Sequence, residues 1–141
     1  MPAVSLGLIG CLGGANTAPG NRPLQFDFGG VVVYSRPSSE QYQPWEVTVT
    51  IDRHDGRQYS ETEVVDGVTH GVAFVVEEDW MQERLPNSIG VTTSAYEREI
   101  TFTGRFGPEI AEKFPNQVVY FEFVLTKGGI AVHPLPSENL G

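Results

Sequence analysis

Lysine is nearly missing from this chain, and so is cysteine. Lys113 and Lys127 are the only lysines, and nine basic residues stand against eighteen acidic ones, a net charge of −9 over 141 residues. A body this acidic repels phosphate backbones and anionic headgroups, which argues against direct nucleic-acid binding and against a membrane surface as partner. It still permits a neighbour of DNA that must not stick to it, such as a channel wall. Cys11 is the single cysteine, so no intrachain disulfide can form. Leu8-Ile9-Gly10-Cys11 has the shape of a bacterial lipobox. No Lys or Arg precedes it, however, and the ten residues ahead are too few for a signal with basic and apolar regions. A small packed thiol is the expectation for Cys11. No apolar run reaches the length of a transmembrane helix.

Catalytic motifs are equally scarce. His54, His70 and His133 lack the close spacing of metal ligands, such as two histidines four apart on a helix. Asp52, Asp55 and Gly56 lack the alternating ligands and closing glutamate of a calcium loop. Neither metal nor cofactor is expected. Glu61 with Glu63 and Glu97 with Glu99 are pairs two apart on strands. Glycoside hydrolysis needs carboxylates flanking a bond across a cleft, so the wet side of a sheet explains these pairs better. Ser35, Ser60, Ser88 and Ser94 sit in no Gly-x-Ser-x-Gly elbow. Cys11 has no neighbouring base or cation to lower its pKa. Gly13-Gly14 and Gly29-Gly30 read as loop punctuation rather than as a phosphate cradle. The acids Glu77-Glu78-Asp79 suit the start of a short helix. Of the aromatics, Tyr42 and Trp80 are the best candidates for a sugar-stacking surface, the rest suiting core and turn packing. The chain reads as non-enzymatic.

What is present is strand periodicity. Hydrophobic residues at 40%, with 11% aromatics, suit a globular fold, and sixteen glycines with ten prolines suit many turns. Residues 24–28 alternate, Gly29-Gly30 follows, and Val31-Val32-Val33-Tyr34 reads as a strand buried on both faces. Residues 45–52 alternate most clearly, with Trp45, Val47, Val49 and Ile51 on one face. Asp55-Gly56 turns this strand into residues 58–65, and Asp66-Gly67 leads on to 68–76. Residues 77–85 could make one or two helical turns before Pro86 stops them. Residues 96–103 alternate again, Pro108 opens a short helix that Pro115 ends, and the apolar run 117–126 reads as a central strand. Lys127-Gly128-Gly129 then turns the chain into 130–133. About eight strands at this spacing predict an all-β, mainly antiparallel β-sandwich or partly closed barrel with one short flanking helix.

Three segments follow: an extended N-terminal arm 1–23, a single β-domain 24–133 and a C-terminal tail 134–141. The arm has no charged side chain before Arg22 and too few large residues for a core of its own. Such an arm suits a clamp on neighbouring subunits, with residues 4–19 as the clamp and Leu6, Leu8 and Ile9 as intersubunit anchors. The function expected from sequence is therefore a structural subunit of a larger assembly, located in a virion. Capsid decoration, tail-tube and head–tail connector proteins of phage are the architectural analogues. Its partners would be copies of itself or other structural proteins. The alternative is a secreted or surface β-sandwich that binds a carbohydrate or protein ligand through loops 36–44 and 77–93.

Overall fold

In the strand β2 (Trp45–Asp52), buried and outward residues alternate without a break. The computed structural model, which describes residues 25–36, 44–68, 70–102 and 106–139, builds seven further strands around it. The others are β1 (Asp27–Arg36), β3 (Gln58–Val65), β4 (Gly71–Val76), β5 (Ser88–Thr92), β6 (Glu97–Thr101), β7 (Val118–Thr126) and β8 (Gly129–Pro136). One helix, α1 (Phe106–Lys113), and two 3₁₀ turns, Asp79–Gln82 and Ser137–Asn139, complete the described residues. Of the two expected architectures the chain adopts the sandwich. A first sheet has the order β4-β1-β7-β8 and a second the order β3-β2-β5-β6. Every pairing is antiparallel except β1 with β7.

Local chemistry explains most boundaries. Asp55 Oδ1 accepts the Arg57 amide at 3.0 Å and Gly56 takes φ +87°, so the β2–β3 hairpin closes where Asp-Gly stands. Its eight pairs run in register from Trp45–Val65 to Asp52–Gln58. The Asp66-Gly67 turn makes no hairpin, because β3 and β4 belong to different sheets and the chain crosses the sandwich there. In α1, Glu109 lies in the first turn and Lys113 in the last, as the helix dipole favours, and Ile110 and Ala111 are buried. The last strand runs to Pro136, three residues beyond the end of the alternation at His133.

Two elements differ from the sequence reading. Residues 88–92 form β5, which places Ile89 and Val91 in the core. Residues 27–36 form one strand, not two separated by glycines. A bulge between Phe28 and Gly30 absorbs the Gly29-Gly30 pair. The glycines are there because the Tyr120 ring lies against them: a Cβ on Gly29 would stand 2.6 Å from it. Gly30 has φ +151°, and a Cβ there would collide with the Val76 carbonyl oxygen. The Tyr120 hydroxyl then donates to a Glu77 carboxylate oxygen. Of the three acids, Asp79 does open the 3₁₀ turn, while Glu77 serves Tyr120 instead. The residue ahead of the 3₁₀ turn, Glu78, makes no side-chain capping bond.

Between the sheets, Phe28, Phe121, Phe123, Ile51, Met81, Ile89 and Leu125 are fully buried. Each such side chain contributes roughly 1.5–3 kcal/mol by leaving water. Phe102, Phe106 and Phe121 meet edge to face or tilted at 5.2–6.0 Å, so α1 is tied to the core at one end of the sandwich. At another point Trp80 packs on Tyr59 at 5.8 Å, and the Arg53 guanidinium lies 4.4 Å above the Trp80 ring. Residues 1–24, with the expected anchors Leu6, Leu8 and Ile9 and with Cys11, lie outside the described residues, as do 37–43 and Tyr42 with them.

Two predictions follow from the packing. Gly30→Ala should destabilise the fold by about 1–3 kcal/mol, because the alanine must take a glycine conformation in occupied space. In urea unfolding its midpoint should fall while the slope is unchanged. An unaltered midpoint would mean that this backbone relaxes freely. Burial, then hydrogen bonding to Glu61 and Glu77, pushes the Tyr59 and Tyr120 phenols up to about 12. An unfolded phenol titrates near ~10. Folded protein therefore holds these protons more tightly, and the stability they contribute is complete below pH ~10 and lost as pH rises through 12. Urea midpoints over this range should fall more steeply for the native chain than for the Tyr59→Phe/Tyr120→Phe double variant. Parallel slopes would contradict the assignment.

Candidate interaction face

The outer sides of the two sheets differ in kind. On the second sheet the outward rows run Val64–Glu46, Thr62–Thr48–Thr92–Glu97, Ser60–Thr50–Gly90–Glu99 and Gln58–Asp52–Ser88–Thr101, polar except for the exposed Val64. Several of these side chains bond to one another. Thr48 and Thr62 share a 2.9 Å bond, while Gln58 Nε2 and Ser88 Oγ each donate to Asp52 at 2.9 Å. Those two donors hold the Asp52 carboxyl below its ordinary value. Glu97 and Glu99 lie on this wet side, as read from the sequence. Glu61 and Glu63 do not. They oppose Val49 and Val47, on the inward side of edge strand β3, where Glu61 accepts the Tyr59 hydroxyl at 2.8 Å.

The first sheet is apolar on both sides. Its inner side supplies Val31, Val33, Val119, Phe121, Phe123 and Leu125 to the core. Its outer side carries the rows Val75–Val32–Glu122–His133 and Val72–Tyr34–Val124–Ala131, then Gly30–Tyr120–Leu135. Val32, Val124 and Tyr120 are buried yet stand outside the core cluster. At the margin, Val72 is 54% exposed and Val75 40%. Both face outward because Val33 pairs with Phe74 and Tyr34 with Val72, which leaves Ala73 as an extra residue that resets the alternation.

The four edges of the sandwich differ too. β3 carries Glu61 and Glu63, β6 carries Glu97, Arg98 and Glu99, and β8 carries Pro134 and Pro136. Charges and prolines of this kind deter pairing with another chain. β4, Gly-Val-Ala-Phe-Val-Val, has neither. Only the bulge at Ala73 interrupts it.

Within this face Glu122 is the exception. It is half-buried on the central strand β7, flanked in the ladder by Val32 and His133. Asp55 pairs with Arg53 at 3.4 Å and with Arg57 at 3.8 Å, and no salt bridge to Glu122 is seen among the described residues. Nothing in the sequence singled out this residue. The usable signal was the uninterrupted apolar run on both sides of it, which in an antiparallel sandwich means a second apolar face.

The other sequence candidates are dispersed. His54 lies in the β2–β3 turn, His70 ahead of β4 and His133 on β8, and no three His, Cys, Asp or Glu come together among the described residues. Trp80 is held beneath Arg53 rather than presented to a sugar. Ser35 is buried against the inner side of the first sheet, and Ser88 is bonded to Asp52. Residues 77–93, expected as a binding loop, contain the first 3₁₀ turn and β5 instead. One shallow cleft of about 230 Å³ lies beside Phe26, Asp27, Arg84 and Leu85, and another of about 280 Å³ beside Trp45, Ser94, Tyr96 and Lys127. No histidine lines either.

No family model and no curated protein matches this chain. Among solved structures it is similar to Serratia marcescens Lip, described as a membrane-bound component of the Type VI secretion system. The identity is 10% and the TM-score 0.45, over 77% of this chain and 98% of that one. A likeness of that strength transfers no activity. It does correct the expected setting: the structure found is a secretion component, not a phage-particle protein, and the virion role and virion location are set aside.

Proposed function

We propose that this chain is a non-enzymatic binding module that docks on a protein partner through the exposed β4 edge of its first sheet. The observation that carries the reading is the contrast between the two outer faces. One is polar except for Val64 on β3, whereas the other is apolar, buried at its centre, and ends at an uncharged edge strand with Val72 and Val75 exposed. Exposed valines on an unprotected edge are where a partner chain gains both buried area and main-chain hydrogen bonds. In place of the loops expected to bind a ligand, the reading uses a strand held by ladder pairing to β1.

Photo-crosslinking in the native cell tests this. A photoreactive phenylalanine in place of Val75 should yield a discrete adduct that disappears when Val72→Asp is added. The same group in place of Thr50, on the polar face, should yield none. Both positions point away from the core, so unfolding should shift by no more than about 0.5 kcal/mol in either case. Equal adduct patterns at positions 50 and 75 would contradict the proposal.

A further inference from the structure

The β4 edge does not stand alone on its side of the sandwich. β6 and β8 meet along one side, so β3 and β4, at the opposite ends of the two sheets, border the other. We infer that the segment docking there is an extended strand of a basic protein partner, in which apolar side chains alternate with lysine or arginine. This rests on the β4 docking edge proposed above and adds the chemistry of its occupant.

Exposed side chains carry the first half of the argument. Val64, Val68, Val72 and Val75 are all exposed, and all fall on β3, β4 or the crossing between them. Tyr96 is the one other large apolar side chain exposed among the described residues. Beyond the bulge at Ala73, β4 pairs regularly with β1 from Phe74 to Val76, and among the described strands β1 is its only neighbour. A strand added to the other edge would gain main-chain hydrogen bonds, and its outward side chains would pack beside Val72 and Val75.

Charge carries the second half. Residues 58–79 hold six of the eighteen acids, Glu61, Glu63, Asp66, Glu77, Glu78 and Asp79, and no lysine or arginine. None of the six is in a salt bridge among the described residues. Glu61 and Glu63 project from the inward side of β3, opposite Val49 and Val47. They therefore face the side chains that an added strand turns toward the second sheet. Glu77, Glu78 and Asp79 follow directly on the end of β4 and are exposed. Successive side chains of a strand point to opposite sides. Apolar residues on one side and basic residues on the other thus meet the valines and the carboxylates at once. A second copy of this chain would instead set the same six acids against their own kind, with another −9 behind them. Like charge slows such an encounter, whereas a basic segment is steered in.

The test uses the full-length protein at low salt and three acetylated, amidated heptapeptides, Thr-Val-X-Val-X-Val-Thr, with X as Lys, Gln or Glu. Binding is read by amide and methyl NMR shifts. The lysine peptide should move the Phe74, Val75 and Val76 amides and the Val72 and Val75 methyls. It should bind about tenfold more tightly than its glutamine twin, with the glutamate peptide weakest. Val-Val-Val-Lys-Lys-Thr-Thr, the same residues without alternation, should bind no better than the glutamine twin. Glu63→Gln with Asp79→Asn should cut the lysine-over-glutamine ratio by about threefold or more. Val75→Thr should weaken all three alternating peptides. Equal binding of the lysine and glutamine peptides, a ratio unmoved by the double variant, or tight binding of the unalternated peptide would overturn the inference and leave the β4 edge standing. A dimer of the free protein that Val75→Asp dissociates would also overturn it, by giving the edge to a second copy. If no peptide moved the β4 signals, the docking edge itself would fall, and the inference with it.

Discussion

The parallel pairing of β1 with β7 is the constraint on which the rest of this structure depends. These two strands form the middle of the first sheet, in register from Asp27–Val118 to Arg36–Thr126. Their inner residues close the core against β2 and β5. Their outer residues are apolar as well, so the pair is buried on both sides in a sandwich whose other sheet is wet outside. Tyr120 shows how tightly the pairing is built. Its ring can lie across β1 only because residues 29 and 30 have no side chains, and its hydroxyl then reaches Glu77 just past β4. Three strands of the first sheet are thereby tied at one end by one aromatic residue.

The proposed function follows from that asymmetry. Several polar side chains on the second sheet spend their hydrogen-bonding capacity on one another, which leaves little free energy to be gained by covering them. At the β4 edge of the first sheet the exposed Val72 and Val75 gain by being covered, and the strand lacks the charges and prolines that guard the other three edges.

Much of the fold was legible in the sequence because its causes are local. The alternation of β2, the Asp55-Gly56 hairpin, the Pro108 helix start and the apolar β7 each depend on a few neighbouring residues. What was not legible depends on residues far apart. Gly29-Gly30 looked like a break because the ring that needs them belongs to Tyr120, ninety positions away. β5 was hidden because it offers only Ile89 and Val91, separated by Gly90, after a stretch of acids and Pro86. The outward turn of both Val72 and Val75 depends on the bulge at Ala73, and the alternation of residues 71–76 alone would put them on opposite sides. Glu122 read as one polar residue in an apolar strand. Its isolation became visible only once its ladder neighbours were known to be Val32 and His133.

Accessibility of the β4 edge in the folded chain is the central claim, and solvent paramagnetic relaxation tests it most directly. With valine methyls labelled and a neutral soluble nitroxide added, the Val72 and Val75 methyls should relax strongly, while those of Val33, Val47 and Val49 stay unaffected. Val72 and Val75 methyls as protected as those three would contradict the account, since the chain would then be covering its own β4 edge and leaving nothing for a partner to bind.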